Sequence, residues 1–310
     1  MATTVTGPSP TDVVLKSLRG SKVDVKSRLF EAALLFALSI SLLFLVVLLA
    51  DVLVGGIGVF TDRGMGFLTA DLSSLPNIAG VSQGIVGSFL MMFFVVGLAF
   101  PSGIGAAIYL EEYAKDTPLN RFLIVNIRNL AGVPSIVFGL LGLAIFVQAL
   151  EGFTGGRSMI AGGITLAVLV LPIVIITASE ALRAVPESIR EAGFGVGATR
   201  WEVVRHHVLP IAAPGILTGT VLSLSRALGE TAPIVLVGAV TGFLATGDQS
   251  FAEQLRGPFV ALPTTIFNWA SLPQAEFRAN TKAAIIVLLG VILVANALAI
   301  FLRNRYERKW

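Results

Sequence analysis

ALRAVPESIREAGFGVGATRWEVVRHHVLP, residues 181–210, joins two long apolar runs and is itself far from apolar. Pro186 suits the first turn of a helix, where its missing N–H costs nothing. The helix runs on through Glu187, Ile189, Arg190 and Ala192, then meets Gly193, Gly195 and Gly197, which favour a stop. Thr199 with Glu202 three residues later forms a capping box and opens a second helix toward Leu209-Pro210. The stretch predicts a short helix, a glycine turn and another helix entering the next apolar run. Small residues at the turn leave room for a further backbone to approach. The result is a rigid peg between two spans.

The composition says what surrounds the peg. Of 310 residues, 55% are hydrophobic and 13% charged, and the mean hydropathy is +0.86. Soluble domains carry about 25% charged residues, so the solvent is a membrane. Cysteine is absent, which excludes disulfides and thiolate chemistry. Six runs have the roughly 20 apolar residues a bilayer crossing needs: Ala32–Leu49, Ile85–Leu110, Ala131–Leu150, Met159–Ser179, Ile211–Val240 and Ala283–Leu302. Pro101, Pro134, Pro172, Pro214 and Pro233 fall within them, as membrane helices tolerate when neighbours satisfy the freed backbone groups.

Lys and Arg set the orientation. With the N-terminus inside, segments 1–31, 111–130, 180–208 and 303–310 carry sixteen basic residues, against five in the outer loops. That bias predicts that both termini are cytoplasmic. The first run begins near residue 30, is too long for a signal-peptide core, and precedes no evident cleavage site. It reads as a retained span over 29–54, after a polar tail over 1–28. The outer segments 51–82 and 241–281 read as ordered loops rich in Gly, Pro and Ser. Phe267 and Trp269 in the second are either interfacial anchors or ordinary loop packing.

Three formal motifs carry no chemistry. Gly193, Gly195 and Ala198 fit G-x-G-x-x-A without a preceding strand. His206 and His207 are adjacent, hence about 100° apart on a helix, and no third ligand accompanies them. A P-loop sequence G-x4-G-K-[ST] does not occur, so an ATPase driving this chain is a separate polypeptide. The spans also lack H-E-x-x-H, paired Asp or a Ser–His arrangement, which argues against an intramembrane enzyme. Gly139 and Gly142 suit close helix packing.

Ile211–Val240 holds two charges, Arg226 and Glu230. Residues four apart share a helix face, so the two meet as a pair. A charge at the bilayer centre costs about 2.5–3.5 kcal/mol, and such residues face a bundle interior or a watery path. Two readings follow. The pair fixes helix packing, or Arg226 lines a route for an anion while Glu230 holds it when the route is empty. A guanidinium fork matches phosphate or carboxylate oxygens.

Glu191, Ala192, Gly197, Leu209 and Pro210 match E-A-A-x3-G-x9-I-x-L-P, the cytoplasmic signature of ABC importer permeases, with Gly193 for the second alanine and His207 for the isoleucine. The chain resembles that family. The resemblance implies an all-α integral membrane protein with six transmembrane helices and a cytoplasmic coupling helix, the type I importer permease architecture. It also implies that loop 180–208 sits in a cleft of an ATP-binding subunit and transmits its closure. RALGETAP at 226–233, AAIYLEEYA at 106–114, NLAGVPSIVFGLLGLAIF at 129–146 and ALPTTIFNWASLPQ at 261–274 further resemble the PstA-type subunit of phosphate-specific permeases.

This narrower resemblance covers a permease core over 80–302, followed by a short tail over 303–310. It implies a prokaryotic cytoplasmic membrane, a PstC-type sister permease, two copies of an ATP-binding subunit and an external phosphate-binding protein. Lipid surrounds the spans, and nucleic acid has no part. It implies no cofactor in this chain, ATP and Mg being held by the ATPase, and no catalytic residue. Arg226 and Glu230 are its substrate-path residues. The alternatives are a permease for molybdate or sulfate and, from another class, a self-sufficient channel or ion-coupled carrier, which leaves the peg unexplained. Glu111 and Glu112, at the exit of the second span, read as a solvated helix end.

Overall fold

The computed structural model describes residues 25–239 and 251–306. The chain divides after Val52 into two compact units. In order, the helices are α1 (Val25–Arg63), α2 (Gly66–Thr69), α3 (Ser82–Tyr113), α4 (Pro118–Ala131), α5 (Ser135–Ala149), α6 (Glu151–Thr154) and α7 (Met159–Arg183). They continue as α8 (Glu187–Gly195), α9 (Arg200–Gly229), α10 (Ala232–Leu236), α11 (Phe251–Arg256), α12 (Leu262–Ser271) and α13 (Ala275–Tyr306). The only β-type pairing among the described residues is an isolated bridge between Ala239 and Phe259.

Five of these, α1, α3, α7, α9 and α13, are long and apolar enough to cross a bilayer, and α4 with α5, bent by 102°, makes a sixth if the pair is counted as one broken span. The bend lies at Gly132-Val133-Pro134, where proline denies its neighbour the helical conformation. α5 alone rises about 22 Å, short of the roughly 30 Å hydrocarbon core. α4 is amphipathic: Ile124 and Ile127 face α7, while Leu119, Phe122 and Val125 are exposed. Thr117 caps it by accepting from the Asn120 N–H at 3.3 Å.

Several span limits differ from the sequence expectation. α1 has 39 residues, about 58 Å of helix, so it begins inside the expected tail and runs past residue 54. Segments 51–82 and 251–281 are largely helical, not loops, because short capped helices satisfy backbone groups that a loop would leave open. Residues 241–250 lie outside the described residues. The expected tail over 303–310 begins as helix, with α13 reaching Tyr306. Above all, Ile211–Val240 is not one helix. α9 ends at Gly229, Glu230 is extended (φ −76°, ψ 121°), and α10 begins anew at Ala232.

α7 is the centre of the second unit. Ser158 caps it by accepting from the Ala161 N–H at 3.2 Å, and it contributes Leu166, Val170, Val174 and Ala178 to two buried clusters. Its neighbours approach through small residues, as helices in lipid must when no hydrophobic force draws them together. A Cβ on Gly103 of α3 would lie 2.7 Å from Val174 Cγ1. Gly142 of α5 fits against Thr165, and Gly219 of α9 against Thr177. The expected packing role of Gly139 is also met, against Pro233 of α10.

A separate cluster joins Phe67, Trp269 and Phe277 with Val260 and Leu262. Trp269 is buried at 3% exposure, so it packs the protein and does not anchor in lipid, whereas Phe267 is exposed.

The α3–α7 contact gives a test. Gly103→Ala must push Val174 aside and is expected to cost about 1–3 kcal/mol, read as a lower unfolding midpoint in detergent. Gly105→Ala meets nothing within 4 Å and is expected to hold or raise the midpoint, since alanine gains roughly 1 kcal/mol over glycine in a helix. Equal midpoints for the two variants would dismiss the close approach as a source of stability.

Candidate functional site

α9 carries the first candidate group. Its exposed positions, Ile211, Gly215, Thr218, Leu222, Arg226 and Gly229, recur at helical spacing and form one stripe. Arg226 sits in the last turn, where the C-terminal dipole favours a cation. Glu230 is the first residue beyond the helix, so the pair is brought together by a helix end, not by a continuous helix face as expected. Arg226 Nε donates to Glu230 Oε1 at 3.3 Å, with side-chain exposures of 45% and 17%. Charge-assisted bonds of this type are usually about 2.7–2.9 Å, so the contact is loose.

The carboxylate side of the pair is enclosed. Glu230 borders a cavity of about 10 Å³ with Ser88, Met91, Leu166, Ile234 and Pro263, where α3, α7, α10 and the start of α12 meet. The Ser88 hydroxyl accepts from the Leu262 N–H at 2.9 Å and so fixes α12 to α3 beside it. One residue before the arginine, the Ser225 hydroxyl donates to Asn296 Oδ1 of α13 at 2.6 Å. Arg303 Nη1 donates to Thr218 at 3.3 Å further along the same helix pair. These polar ties hold α9 against α13, the second through Thr218 of the stripe itself, and leave Arg226 exposed. Nothing in the local sequence pairs Ser225 with Asn296.

The second candidate group is the peg, about 39 Å of α9 away from Arg226. α8 and the turn after it form as the sequence predicts. Gly197 has φ +83°, a region that favours glycine. The Thr199 hydroxyl accepts from the Glu202 N–H at 3.4 Å, and Glu202 Oε2 accepts from the Thr199 N–H at 2.8 Å. Gly193 is buried, and a Cβ there would lie 2.7 Å from Val203 Cγ2. Its small size therefore serves contact with α9 of the same chain, and this explains the departure from alanine. Glu191, Ala192, Phe194 and Val196 are exposed at the apex with Trp201. Leu209 packs against the cluster beneath, while Pro210 is exposed.

Glu111 and Glu112 are not a solvated helix end. Glu112 is 7% exposed, and its Oε1 accepts from Arg190 Nη2 of α8 at 2.8 Å. Glu111 Oε2 accepts from Arg183 Nε of α7 at 2.6 Å. The hydrogen bond it donates to Glu112 raises the Arg190 guanidinium above its ordinary pKa, against a smaller lowering by burial. The partners lie 72 and 78 residues apart, so the acidic pair was visible in the sequence but its partners were not. Among the described residues no three His, Cys, Asp or Glu side chains gather in a group able to hold a metal.

Comparison with known proteins agrees with this architecture. Residues 99–310 match the family described as binding-protein-dependent transport system inner membrane component. The phosphate transport system permease protein PstA of Yersinia pestis is 35% identical over 77% of this chain and 79% of its own length. PstA 1 of Mycobacterium tuberculosis (strain ATCC 25618 / H37Rv) is 33% identical over 81% and 80%. In fold, the chain is similar to a chain of a bacterial alginate ABC transporter, with a TM-score of 0.61 at 14% identity over 91% of this chain and 97% of that one. A chain of the MetNI methionine ABC transporter gives 0.56 at 18% identity over 74% and 95%. An exposed peg between membrane helices, a chain nearly all helical and this degree of identity lead to one assignment: the chain belongs to the binding-protein-dependent transport permeases and, within them, to the PstA family of phosphate transport system permeases.

Proposed function

We propose that this chain is the permease subunit of an ATP-driven importer of inorganic phosphate, forming half of the path and leaving ATP hydrolysis to a separate subunit. The observation that carries the reading is the loose Arg226–Glu230 contact, set on an exposed stripe where a membrane helix ends. An arginine in such a place needs an anion. Glu230 is that anion when the path is empty, and an oxyanion delivered by an external binding protein replaces it. Because the internal bond is long, exchange costs little, and phosphate is held without a deep trap. The planar fork suits two oxygens of one phosphate.

The partners follow from the same surfaces. The exposed stripe of α9 faces a PstC-type sister permease across the path. The apolar apex of the peg, Phe194, Val196 and Trp201, stands beside Glu191 and Arg200 and seats in a cleft of the ATP-binding subunit. Two such subunits, holding ATP and Mg, serve the two permeases. Both termini and the peg lie on the cytoplasmic side, as the distribution of Lys and Arg requires.

Proteoliposomes holding the full complex, external binding protein and lumenal ATP test the path. Arg226→Ala is expected to reduce labelled phosphate uptake to background while the complex still assembles. Arg226→Lys keeps the charge without the fork and is expected to retain a small fraction of uptake. Normal uptake by Arg226→Ala would reduce the pair to packing. Inhibition by excess sulfate or molybdate as strong as by phosphate would overturn the substrate. The docking surface has its own test. Val196 is 84% exposed, so Val196→Asp spares the fold. It is expected to weaken capture of the ATP-binding subunit by about tenfold or more, roughly 1.4 kcal/mol.

A further inference from the structure

The peg is fastened to the rest of the chain in two unlike ways. Toward α9 it packs through Gly193 against Val203, an apolar contact without direction. Toward α3 and α7 it is fastened by Arg190. Nε donates to both oxygens of Glu112, at 3.2 and 3.3 Å, and Nη2 donates to Oε1 at 2.8 Å. Nη2 also donates to the Leu182 carbonyl at 3.0 Å, and Nη1 donates to the Val185 carbonyl at 2.9 Å and to Glu187 at 3.3 Å. Every nitrogen of the guanidinium is thus engaged. Leu182 lies in the last turn of α7, where its carbonyl also accepts from the Val185 N–H at 3.2 Å, and Val185 lies two residues beyond the helix. Glu112 lies in the last turn of α3.

One side chain therefore ties together the peg and the ends of two spans. The pair is sheltered, with side-chain exposures of 13% for Arg190 and 6% for Glu112. Beside it Arg183 and Glu111, at 2.6 Å, bind α7 to α3 directly. A cavity of about 440 Å³ lined by Glu111, Glu187, Phe194 and Arg200 adjoins the pair. On that side the peg has space beside it, and Arg190 bridges it.

We propose that Arg190 and Glu112 are positioning residues for transport: they form the joint that carries displacement of α8 to α3 and α7 and so fix how much phosphate moves per ATP hydrolysed. The inference rests on the reading that a separate ATP-binding subunit docks on α8. A directional, multiply bonded ion pair transmits both push and rotation, whereas an apolar contact slides. The pair touches neither phosphate nor ATP, and its loss uncouples the two processes without abolishing either.

The test uses the whole complex in proteoliposomes, with phosphate uptake and ATP hydrolysis measured together and subunit stoichiometry checked. Arg190→Lys keeps the charge and loses the fork. The double variant Glu112→Leu with Arg190→Met replaces the pair by packing and strands no charge. Coupling between sites corresponds to about 5–150-fold effects, and phosphate moved per ATP is expected to fall by about tenfold in both variants. Basal hydrolysis is expected to persist, and its stimulation by the binding protein to weaken. An unchanged ratio, including a proportional fall of uptake and hydrolysis, would overturn the joint. So would failure of both variants to assemble, which assigns the pair to folding alone. If the unaltered complex moves sulfate or molybdate and not phosphate, the substrate reading falls, and the joint is judged by the anion moved per ATP.

Discussion

A charge among apolar spans has to be neutralised where it stands, and the way each one is neutralised divides this molecule into fixed and exchangeable parts. Arg190 meets Glu112 at 2.8 Å in a nearly dry setting and spends its remaining donors on backbone carbonyls and Glu187. Arg226 meets Glu230 at 3.3 Å with almost half its side chain exposed. Desolvation makes the first pair costly to open, because either partner left alone is a buried charge. The second is open on one side, so a competing anion can approach before the internal bond is lost. The same two residue types thus rivet α8 to the ends of α3 and α7 and, on the function proposed above, form a latch at the far end of α9.

Small residues determine where these pairs lie. Gly103, Gly142 and Gly219 let α3, α5 and α9 close onto α7, with no room for an added Cβ between them. That closeness brings the last turn of α3 within reach of Arg190. The hydrogen bond between Ser225 and Asn296 performs a similar service at the other end, holding α9 to α13 while its exposed stripe keeps Arg226 in the open. Packing in the apolar layer and polar contacts at its ends depend on one another.

The spans were legible in the sequence because hydrophobicity is a local property that needs no partner. So were α8, the turn at Gly197 and the Thr199–Glu202 cap, each fixed by residues within four positions of one another. Arg226 and Glu230 were legible as a pair, since charges so near each other in an apolar run have few alternatives. Helix ends were less legible. α9 stops before Glu230 and α1 runs well past its apolar stretch, decisions taken by tertiary contacts and caps that composition does not carry. Least legible was Glu112. Two acidic residues at the end of a span look solvated unless a basic residue 78 positions away folds over them. Trp269 stayed open between two readings for the same reason: its burial against Phe67 and Phe277 depends on segments distant in sequence.

Of the two departures from the family signature, Gly193 bears on how the peg meets the helix that carries Arg226. An alanine at Gly193 would meet Val203, at the very start of the helix that carries Arg226. With glycine there, the backbone of α8 lies against the Val203 side chain, and only that side chain separates the peg from the start of α9. Between Val203 and Arg226 the helix is not uniform. Residues Val204–Val208 form a π segment, and Pro214 lies within the helix beyond it, both sites where helices bend. On the function proposed above, motion imposed at the peg would reach Arg226 partly as bending, while Arg190 ties the ends of α3 and α7 directly to the peg. Glu230 lies beyond the end of α9 and packs against α3 and α7, so the two halves of the latch sit on parts driven by different fastenings. On the function proposed above, relative movement of those parts would change the bond between Arg226 and Glu230, 3.3 Å long here, and so open the arginine to its anion.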